Sequence, residues 1–342
     1  MTEMANITDV AKLANVSAMT VSRVLNGKGY VKEETRRRVL KAMEKLHYVP
    51  NELARSLVLQ QSQMIALIVP DITNPFYTTV ARGIEDMARK NNYQVILCNS
   101  DENVDKEREY IEMCLRIRVD GIAIAAAGDA SKKNLQLLKP LDIPFVLIDR
   151  RVEGTQADVV LGDSVKAAQN LVEHLIGLRH RRIAMFTGSL QSSTSRDRVA
   201  GYRKALEKHG ILYREEYVKE NTYTRNSENS DIQDLMTLPE PPTAILAANN
   251  ILAVKAFQQL KKLQLQVPGD VSIVGFDEVD PMNVAEPFFT SAIQPAYTFG
   301  TLSMQFLLER IEGNDSSPRT IVLKPEMVIR NSTQTVKVPQ DN

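Results

Sequence analysis

Residues 64–98 read MIALIVPDITNPFYTTVARGIEDMARKNNYQVILC, and this stretch decides the fold. Ile65–Val69 and Gln94–Cys98 are apolar runs of strand length, whereas Phe76–Lys90 has apolar residues at helical spacing. The residues that share the apolar face of this helix are Phe76, Val80, Ile84, Met87 and Ala88. A strand, a helix and a second strand in this order predict two parallel strands joined by a crossover helix.

The same alternation continues along most of the chain. Further apolar runs of strand length are Gly121–Ala125, Phe145–Ile148, Arg182–Phe186, Ala244–Ala247 and Val271–Phe276. Strands that alternate with helices indicate the α/β class with doubly wound parallel sheets. Seven runs over about 260 residues favour two lobes over a single sheet, because one such sheet rarely needs so long a chain.

Composition sets the class of protein. The chain has 342 residues, of which 43% are hydrophobic, so it can form two or three units with their own cores. Its two cysteines, Cys98 and Cys114, form no disulfide framework and have no metal-ligand spacing. The start of the chain lacks the pattern of a signal peptide, and its longest apolar runs, Met64–Val69 and Ile122–Ala127, are too short to span a bilayer. We therefore expect a soluble, cytoplasmic protein.

Charge is balanced over the whole chain but uneven along it. Residues 1–60 contain ten Lys and Arg and six Asp and Glu, while the remainder contains 32 and 36. A small basic unit on an acidic body is typical of a polyanion-binding module joined to a separate sensor. A surplus of four positive charges is also common on ordinary solvated surfaces.

The first 47 residues predict three short helices and no strand. We expect Thr8 to cap a helix over Asp9–Ala14, and Asn15-Val16-Ser17 to separate it from a helix over Ala18–Leu25. A third helix is expected over Glu33–Leu46. Its apolar face consists of Val39, Ala42, Met43 and Leu46. Two helices separated by a three-residue turn indicate a helix-turn-helix.

The second of these helices has the side chains of a recognition helix. The residues expected to face outward are Ala18, Met19, Thr20, Ser22 and Arg23, whereas Val21, Val24 and Leu25 face inward. Short side chains near the N-terminus and a long hydrogen-bonding one further along can reach base edges in the major groove. Arg23 suits a guanine edge. The alternative is a three-helix bundle in which Arg23 is only a surface residue.

Residues 48–57 follow the third helix directly. Pro50 ends that helix and Asn51 can cap a new one of barely two turns, which is marginal alone in water. Such a helix would form only against a partner, and Leu57 at its end has the character of a minor-groove wedge. An ordinary interdomain linker is the alternative.

Motifs along nearly the whole chain resemble those of the lactose/galactose repressor (LacI/GalR) family. They are Ile7-Thr8-Asp9-Val10-Ala11, Asn15-Val16-Ser17, Thr20-Val21-Ser22-Arg23-Val24-Leu25-Asn26, Pro50-Asn51, Ala54-Arg55-Ser56-Leu57, Pro70–Phe76, Val119-Asp120-Gly121-Ile122, Pro144–Asp149, Gly201-Tyr202, Gly275-Phe276-Asp277 and Gln294-Pro295. The resemblance implies a transcriptional regulator that acts as a repressor of a sugar-utilisation operon. It also implies a homodimer on a pseudo-palindromic operator and an allosteric effector between two lobes.

The resemblance further implies a core like that of the periplasmic sugar-binding proteins, with crossovers near residues 162–164, 294–297 and 323–327. The expected divisions are a headpiece at 1–47, a hinge at 48–61, an N-terminal lobe at 62–162 plus 296–324, a C-terminal lobe at 163–295 plus 325–332, and a frayed polar tail at 333–342.

Carried over position by position, the resemblance implies two sets of contacts with DNA. The headpiece set is Thr8, Ser17, Ala18, Met19, Thr20, Ser22, Arg23 and Asn26, and the hinge set is Asn51, Ala54 and Leu57. Two residues depart from the family pattern. Asn15 replaces a common Gly, which its tolerance of positive φ permits, and Lys32 replaces a capping Ser before the third helix.

Polar residues directly after the apolar runs predict a ligand cleft, since ligands of open α/β sheets lie beyond the carboxyl ends of the strands. These strand-end residues are Asp71, Asp149, Asn249 and Asp277. Arg198 could clamp hydroxyls or a carboxylate, and Phe76 and Tyr223 are candidates for stacking on a sugar. Any one of these residues could instead be a helix cap or a turn residue.

The resemblance favours the cleft and assigns effector binding to Asn74, Phe76, Asp149, Arg198, Tyr223, Asn249 and Asp277. Asn250 stands where the family usually has Asp; we expect it to cap the next helix while removing a charge near the cleft. Three details, Gly29-Tyr30-Val31, Asn99-Ser100-Asp101-Glu102 and Asp149-Arg150 with Glu153-Gly154, look most like ribose repressors. The implied ligand is a ribose-like sugar or sugar derivative, with no cofactor and no metal.

Two other functions compete with this interpretation. A transporter's solute-binding protein would share the core but has no use for residues 1–60. An enzyme is disfavoured because the chain has no Gly-rich phosphate loop, no H-E-x-x-H and no G-x-S-x-G. We expect the four histidines, His47, His174, His180 and His209, to be solvated surface residues.

The predicted oligomer is a dimer rather than a tetramer, because the end of the chain has no leucine heptads. The apolar stripe of Phe76–Lys90 is the candidate dimer face, with burial inside the core as the alternative.

Overall fold

The computed structural model describes residues 5–26, 29–48, 61–221, 231–279 and 287–336. The chain divides into two compact units, Met1–Ser62 and Gln63–Asn342, each with hydrophobic cores of its own. Within the described residues, no helix combines the length and the hydrophobicity needed to cross a bilayer.

The first unit contains the helices α1 (Ile7–Ala14), α2 (Ala18–Asn26) and α3 (Glu33–Lys45). Val10, Val21 and Val39 are fully buried, so each helix contributes one valine to the centre of a small core. The predicted apolar face of α3 packs there, and the predicted helix-turn-helix is confirmed. The side chain of Lys32 makes no capping hydrogen bond to α3.

The cap of α1 is Asn6 and not Thr8, so our prediction for Thr8 was wrong. Asn6 Oδ1 accepts hydrogen bonds from the backbone N–H groups of Thr8 and Asp9, at 2.8 and 3.2 Å. The Asp9 carboxylate accepts the N–H of Asn6 at 3.0 Å, which completes a capping box. Thr8 lies inside the first turn, where its own N–H group needs a partner.

The turn between α1 and α2 has the predicted chemistry. Asn15 ends α1 with a left-handed φ of 53°, a conformation that Asn tolerates better than most residues. Ser17 Oγ accepts the N–H of Thr20 at 3.2 Å and so caps α2.

The second unit contains two six-stranded sheets. Its strands are β1 (Met64–Val69), β2 (Gln94–Asn99), β3 (Gly121–Ile124), β4 (Phe145–Ile148), β5 (Asp158–Gly162), β6 (Ile183–Thr187), β7 (Val218–Glu220), β8 (Ala244–Ala247), β9 (Ser272–Phe276), β10 (Thr290–Ile293), β11 (Thr320–Leu323) and β12 (Glu326–Val328). Its helices are α4 (Pro75–Lys90), α5 (Val104–Ile117), α6 (Lys132–Leu135), α7 (Ser164–Gly177), α8 (Ser193–Lys208), α9 (Asp231–Met236), α10 (Asn250–Lys262) and α11 (Ala296–Ile311).

The first sheet has the order β11-β5-β4-β3-β1-β2 and the second the order β12-β10-β9-β8-β6-β7. All pairings are parallel except that of β10 with β12, which is antiparallel. The predicted two-lobed α/β class is confirmed. The chain passes from one sheet to the other between β5 and α7, between β10 and α11, and between β11 and β12.

The central strands are buried on both faces, because helices cover both sides of each sheet. The sequence therefore showed these strands as continuous apolar runs. Five strands were not predicted: β5, β7, β10, β11 and β12. β7 and β12 have only three residues, and β11 at a sheet edge alternates between exposed and half-buried residues.

The apolar stripe of α4 is core and not a free dimer face, so that prediction was wrong. Val80, Ile84 and Ala88 are fully buried against β1 and α11. α4 and α11 approach so closely that a Cβ added at Gly300 would lie 2.1 Å from the carbonyl oxygen of Val80. The apolar stripe of α4 therefore packs within the core, where α4 contacts α11.

The prediction of a solvated His180 was wrong, and so was that of a frayed tail for residues 333–336; residues 337–342 lie outside the described residues. His180 is 2% exposed, and its ring contacts Thr243 Oγ1 at 2.9 Å, Ser272 Oγ at 3.1 Å and the carbonyl oxygen of Gln334 at 3.0 Å. Burial lowers the pKa of His180, which favours the neutral ring. Residues 333–336 are therefore docked on the second sheet rather than frayed, with the N–H of Val336 donating to the carbonyl of Leu178 at 3.1 Å.

Candidate functional site

A cleft of about 390 Å³, including its open mouth, lies where the carboxyl ends of the two sheets meet. This is the position at which open α/β sheets bind ligands. The lining residues are Asp71, Asn74, Phe76, Tyr77, Glu102, Asp149, Arg150, Thr194, Arg198, Asn249, Ile251, Asp277 and Gln294.

The structure brings six of the seven predicted effector residues into this cleft, and Tyr223 lies outside the described residues. Asn74, Phe76 and Asp149 come from the first lobe, and Arg198, Asn249 and Asp277 from the second. Asp71, which we also placed at a strand end, is among the lining residues.

Asp149 follows β4 and is 5% exposed. Its left-handed backbone, with a φ of 62°, turns the chain sharply at the end of the strand. Oδ2 accepts a hydrogen bond from the Tyr77 hydroxyl at 3.1 Å, while Oδ1 has no hydrogen-bond partner among the described residues. Burial raises the pKa of Asp149, and the nearby charge of Arg198 opposes the rise. Burial also raises the pKa of Tyr77, which keeps its hydroxyl protonated and able to donate.

Arg150 is 3% exposed and forms a bidentate ion pair with Glu102, which follows β2. Its Nη1 also donates to the carbonyl oxygen of Ala126 at 3.0 Å. Its Nε lies 3.9 Å from Asp149 Oδ2, too far for a hydrogen bond. Despite burial, which works against its charge, the carboxylate of Glu102 keeps the pKa of Arg150 well above its ordinary value.

Arg198 enters the cleft from α8 and is 4% exposed. Its Nη1 donates to the carbonyl oxygen of Ala248, and its guanidinium lies 4.0 Å from the centre of the Phe276 ring. Stacking on Phe276 restricts the plane of the guanidinium. Its Nε has no hydrogen-bond partner in the described part of the chain.

Asp277 follows β9 and is 9% exposed. Gln294, which follows β10, donates from Nε2 to both carboxylate oxygens at 3.3 and 3.2 Å. Burial raises the pKa of Asp277 to about 6, Arg198 opposes the rise, and Asp149 adds to it. Asp277 is therefore ionised at neutral pH but close to its titration range.

Asn249, and not Asn250, caps α10, which corrects our expectation for Asn250. Asn249 Oδ1 accepts the N–H of Leu252 at 2.8 Å. Asn250 instead donates from Nδ2 to Asn74 Oδ1 at 3.2 Å, across the cleft, and to the carbonyl oxygen of Glu278 at 2.8 Å. An aspartate at this position could not donate these bonds.

Two ion pairs join the lobes at the mouth of the cleft. Arg151 of the first lobe binds Asp197 of the second in a bidentate pair, at 2.6 and 2.8 Å. Arg196 of the second lobe lies 2.8 Å from Asp129 of the first. The Arg151 N–H also donates to Ser193 Oγ at 2.9 Å. The two lobes are therefore in direct contact beside the cleft.

Sequence reasoning missed several residues of the cleft. Arg150 and Glu102 were noted only within the motifs that resemble ribose repressors, and neither was selected for binding; they lie two residues after β4 and three residues after β2. Gln294 was noted only in a family motif, and β10 was not predicted, so its place at a strand end was hidden. Thr194 and Ile251 carry no sequence signal of a cleft position.

The first unit presents a second set of candidate residues on α2. Met19 is 66% exposed, and Ala18 and Arg23 are exposed as well. Thr20 and Ser22 are half-buried, and the Thr20 hydroxyl pairs with that of Ser17 at 2.9 Å. Asn26 ends α2, and Thr8 is exposed on α1. The predicted hinge residues Asn51, Ala54 and Leu57 lie outside the described residues.

A helix-turn-helix unit followed by a two-lobed core with a polar cleft defines a ligand-sensing, DNA-binding transcriptional regulator. Residues 6–51 match the model of the bacterial regulatory proteins of the lacI family. Residues 62–332 match the model of the periplasmic binding proteins and sugar binding domain of the LacI family. The chain belongs to the LacI family of transcriptional regulators.

Named relatives are similar over almost their whole length. The chain is 36% identical to catabolite control protein A of Priestia megaterium, covering 96% of this chain and 99% of the relative. It is 30% identical to the ribose operon repressor of Haemophilus influenzae, covering 98% of this chain and 100% of the relative. It is 31% identical to the HTH-type transcriptional repressor PurR of Aliivibrio salmonicida, covering 96% and 99%.

Solved structures show the same likeness. The lac repressor dimer bound to operator and the anti-inducer ONPF superposes with a TM-score of 0.82 at 26% identity, covering 97% of this chain and 100% of that chain. A LacI family regulator from Enterococcus faecium with bound ribose superposes with a TM-score of 0.69 at 29% identity, covering 80% and 100%.

The raised pKa of Asp277 predicts a pH dependence of stability. The folded protein binds the proton of this carboxyl more tightly than the unfolded chain, whose Asp pKa is about 3.9. The contribution of Asp277 to the free energy of unfolding therefore falls as pH rises from about 4 to about 6, and is constant above. A pKa shift of about two units corresponds to a change of about 3 kcal/mol in the free energy of unfolding across this pH range. Asp277→Asn should remove this pH-dependent contribution.

Thermal unfolding of both proteins between acidic and neutral pH measures this effect. The stability of Asp277→Asn relative to the original chain should increase across that window. A difference that does not change with pH would show that the carboxyl is better solvated than the cleft geometry implies.

Proposed function

We propose that the chain is a sequence-specific repressor of a sugar-utilisation operon whose affinity for its operator is set by a small, uncharged, ribose-like sugar bound between the lobes. Because its target is chromosomal DNA, the proposed place of action is the cytoplasm. The relatives are regulators, and we propose no catalytic role.

The observation that carries the proposal for the ligand is a set of buried polar atoms without partners. Four residues of the cleft each leave one such atom within the described part of the chain: Asp149 Oδ1, Arg150 Nε, Arg198 Nε and Gln294 Oε1. Two of these atoms accept and two donate hydrogen bonds. A buried unpaired polar group costs about 1–3 kcal/mol, so a ligand that pairs them is strongly favoured. A sugar supplies hydroxyls that both donate and accept.

The charge of the cleft supports an uncharged ligand. In the described part of the chain, four carboxylates line it, those of Asp71, Glu102, Asp149 and Asp277, against the two guanidinium groups of Arg150 and Arg198. A phosphorylated sugar would meet a surplus of negative charge with little water to screen it. The bound ribose of the Enterococcus faecium regulator and the name of the Haemophilus influenzae repressor support a pentose.

The DNA-reading surface is proposed to be α2 with the residues named above. Arg23 is exposed, and its Nη2 lies 3.9 Å from Met19 Sδ, one turn earlier on the same helix. The hinge residues Asn51, Ala54 and Leu57 are proposed as further contacts from the family resemblance. The lac repressor dimer bound to operator supports a dimeric mode of binding.

A mobility-shift titration with promoter DNA of the chain's own operon, with and without ribose, tests the proposal. Ribose should change operator affinity by a coupling free energy of about 1–3 kcal/mol. Asp277→Ala should abolish this change and leave ligand-free operator binding nearly intact, because Asp277 lies in the cleft. Leu57→Ala should weaken operator binding without changing ribose affinity in the absence of DNA. If Asp277→Ala and Leu57→Ala both impair operator binding, or both impair the response to ribose, the division into a ligand-sensing core and a DNA-binding part is contradicted.

Arg23→Ala should weaken operator binding by about 1–3 kcal/mol and relax the preference at one base pair, because an arginine read-out of guanine is lost. The measurement is affinity for the operator and for single-base variants at fixed salt. Arg37→Ala is the control, since Arg37 is an exposed arginine of α3 whose Nε lies 3.7 Å from the carboxylate of Glu33. A uniform loss for Arg23→Ala, with base preference unchanged, would identify Arg23 as a phosphate contact.

The proposed dimer face includes the edge strand β2, in place of the stripe of α4. Leu97 of β2 is 47% exposed on the outermost strand of the first sheet. An exposed edge strand presents unpaired backbone groups and is a template for pairing with another chain. Leu97→Lys should weaken dimerisation by about tenfold or more, equivalent to at least about 1.4 kcal/mol, in sedimentation equilibrium. Leu212→Lys, at a residue 78% exposed away from that strand, should leave the dimer unchanged. Equal effects of the two variants would exclude β2 from the interface.

A further inference from the structure

Glu102 holds both terminal nitrogens of Arg150. Its two carboxylate oxygens accept from Nη1 at 2.6 Å and from Nη2 at 2.8 Å. Arg150 is almost fully buried, whereas the side chain of Glu102 is 23% exposed. The carboxylate therefore occupies the terminal edge of the guanidinium, one of the two edges at which a guanidinium binds an anion with paired hydrogen bonds.

This pairing, together with the carbonyl oxygen of Ala126, engages three of the five N–H groups of Arg150. Nη1 donates in addition to the carbonyl oxygen of Ala126, and Nε is the nitrogen without a hydrogen-bond partner in the described residues. A guanidinium with both terminal nitrogens free binds a phosphate or carboxylate with two parallel hydrogen bonds. With Glu102 in place, the terminal edge of Arg150 is occupied and its charge is compensated, so the guanidinium offers a ligand its side edge, with the unpartnered Nε, but little net charge to attract an anion.

The backbone before α5 fixes the position of Glu102. Asp101 and Glu102 have φ values of 54° and 58°, so two consecutive non-glycine residues are left-handed. Each such residue costs roughly 1 kcal/mol or more and persists where the surroundings hold it. Asp101 pairs with Lys106, and Asn103 caps α5 by accepting from the N–H groups of Asp105 and Lys106 at 2.8 and 3.0 Å. The turn thus directs Glu102 towards Arg150.

We propose that Glu102 is a specificity-determining residue that makes the cleft reject anionic ligands by occupying and neutralising Arg150. The proposal rests on the proposed function, since it concerns the charge of the ligand in the same cleft. Loss of the Glu102 charge would leave Arg150 with an uncompensated positive charge and with terminal nitrogens that a phosphate can bind.

The test compares ribose with ribose 5-phosphate by isothermal titration of the full-length chain and of Glu102→Gln. The original chain should bind ribose and reject the phosphate ester. Glu102→Gln should bind ribose more weakly and ribose 5-phosphate more tightly. The ratio of the two affinities should change by at least about tenfold, as removal of a unit charge a few ångströms from the ligand implies.

Asp71→Asn is the matched control, because it removes the same charge from the cleft without touching the pair with Arg150. Its gain in affinity for the phosphate ester should be clearly smaller than that of Glu102→Gln. Equal gains would show that only the total charge matters and would overturn the role of Glu102. Glu102→Asp keeps the charge and should still reject the ester.

The double variant Glu102→Gln, Arg150→Gln removes both charges of the pair and so avoids the uncompensated Arg150 charge that Glu102→Gln leaves buried, which makes it informative even where Glu102→Gln folds poorly. It should reject ribose 5-phosphate as the original chain does. Tight binding of the ester by the double variant or by the original chain would overturn the proposal. If Glu102→Gln gains affinity for the ester but no variant binds ribose, the role of Glu102 is supported. The same result would contradict the proposal that the ligand is a pentose.

Discussion

The buried charges between the two lobes constrain the rest of the second unit. Asp149, Arg150, Arg198 and Asp277 are each less than a tenth exposed, and a charge removed from water is tolerated only where it is paired and hydrogen-bonded. Tyr77, Glu102, Phe276 and Gln294 supply part of that compensation. They come from four different segments at the carboxyl ends of both sheets. The two sheets must therefore face each other at these ends, and a ligand that pairs the remaining atoms stabilises this arrangement further.

Closure of the lobes rests on contacts that are individually weak. Exposed ion pairs such as Arg151 with Asp197 contribute about 0–1 kcal/mol each, and the bond from Asn250 to Asn74 is a single neutral hydrogen bond. A ligand that binds the closed form more tightly by a few kcal/mol can then determine the population of the closed form. The chain connects the two sheets at three places. The motion is therefore limited to a change in the position of one preformed lobe relative to the other.

The sequence predicted the interior of the fold better than its edges. Strands buried on both faces, such as β1 and β3, are continuous apolar runs, whereas β7, β11 and β12 are short or half-exposed and give no such signal. Strand-end positions predicted Asp149 and Asp277, because parallel strands place their carboxyl ends at one edge. The pairing of Glu102 with Arg150 joins residues 48 positions apart, and His180 meets Gln334 across 154. Spacing along the chain contains no information about such contacts.

Identity over the whole chain does not separate ligand classes in this family. A ribose operon repressor, a catabolite control protein and PurR are all 30–36% identical to this chain over nearly its full length. The fold supplies the facing sheet ends in every case, and function depends on the side chains placed there. Among the described residues, those side chains leave two donors and two acceptors unpaired and include more carboxylates than guanidinium groups. The chemistry of the cleft, rather than the degree of similarity, is therefore what favours an uncharged polyhydroxylated ligand.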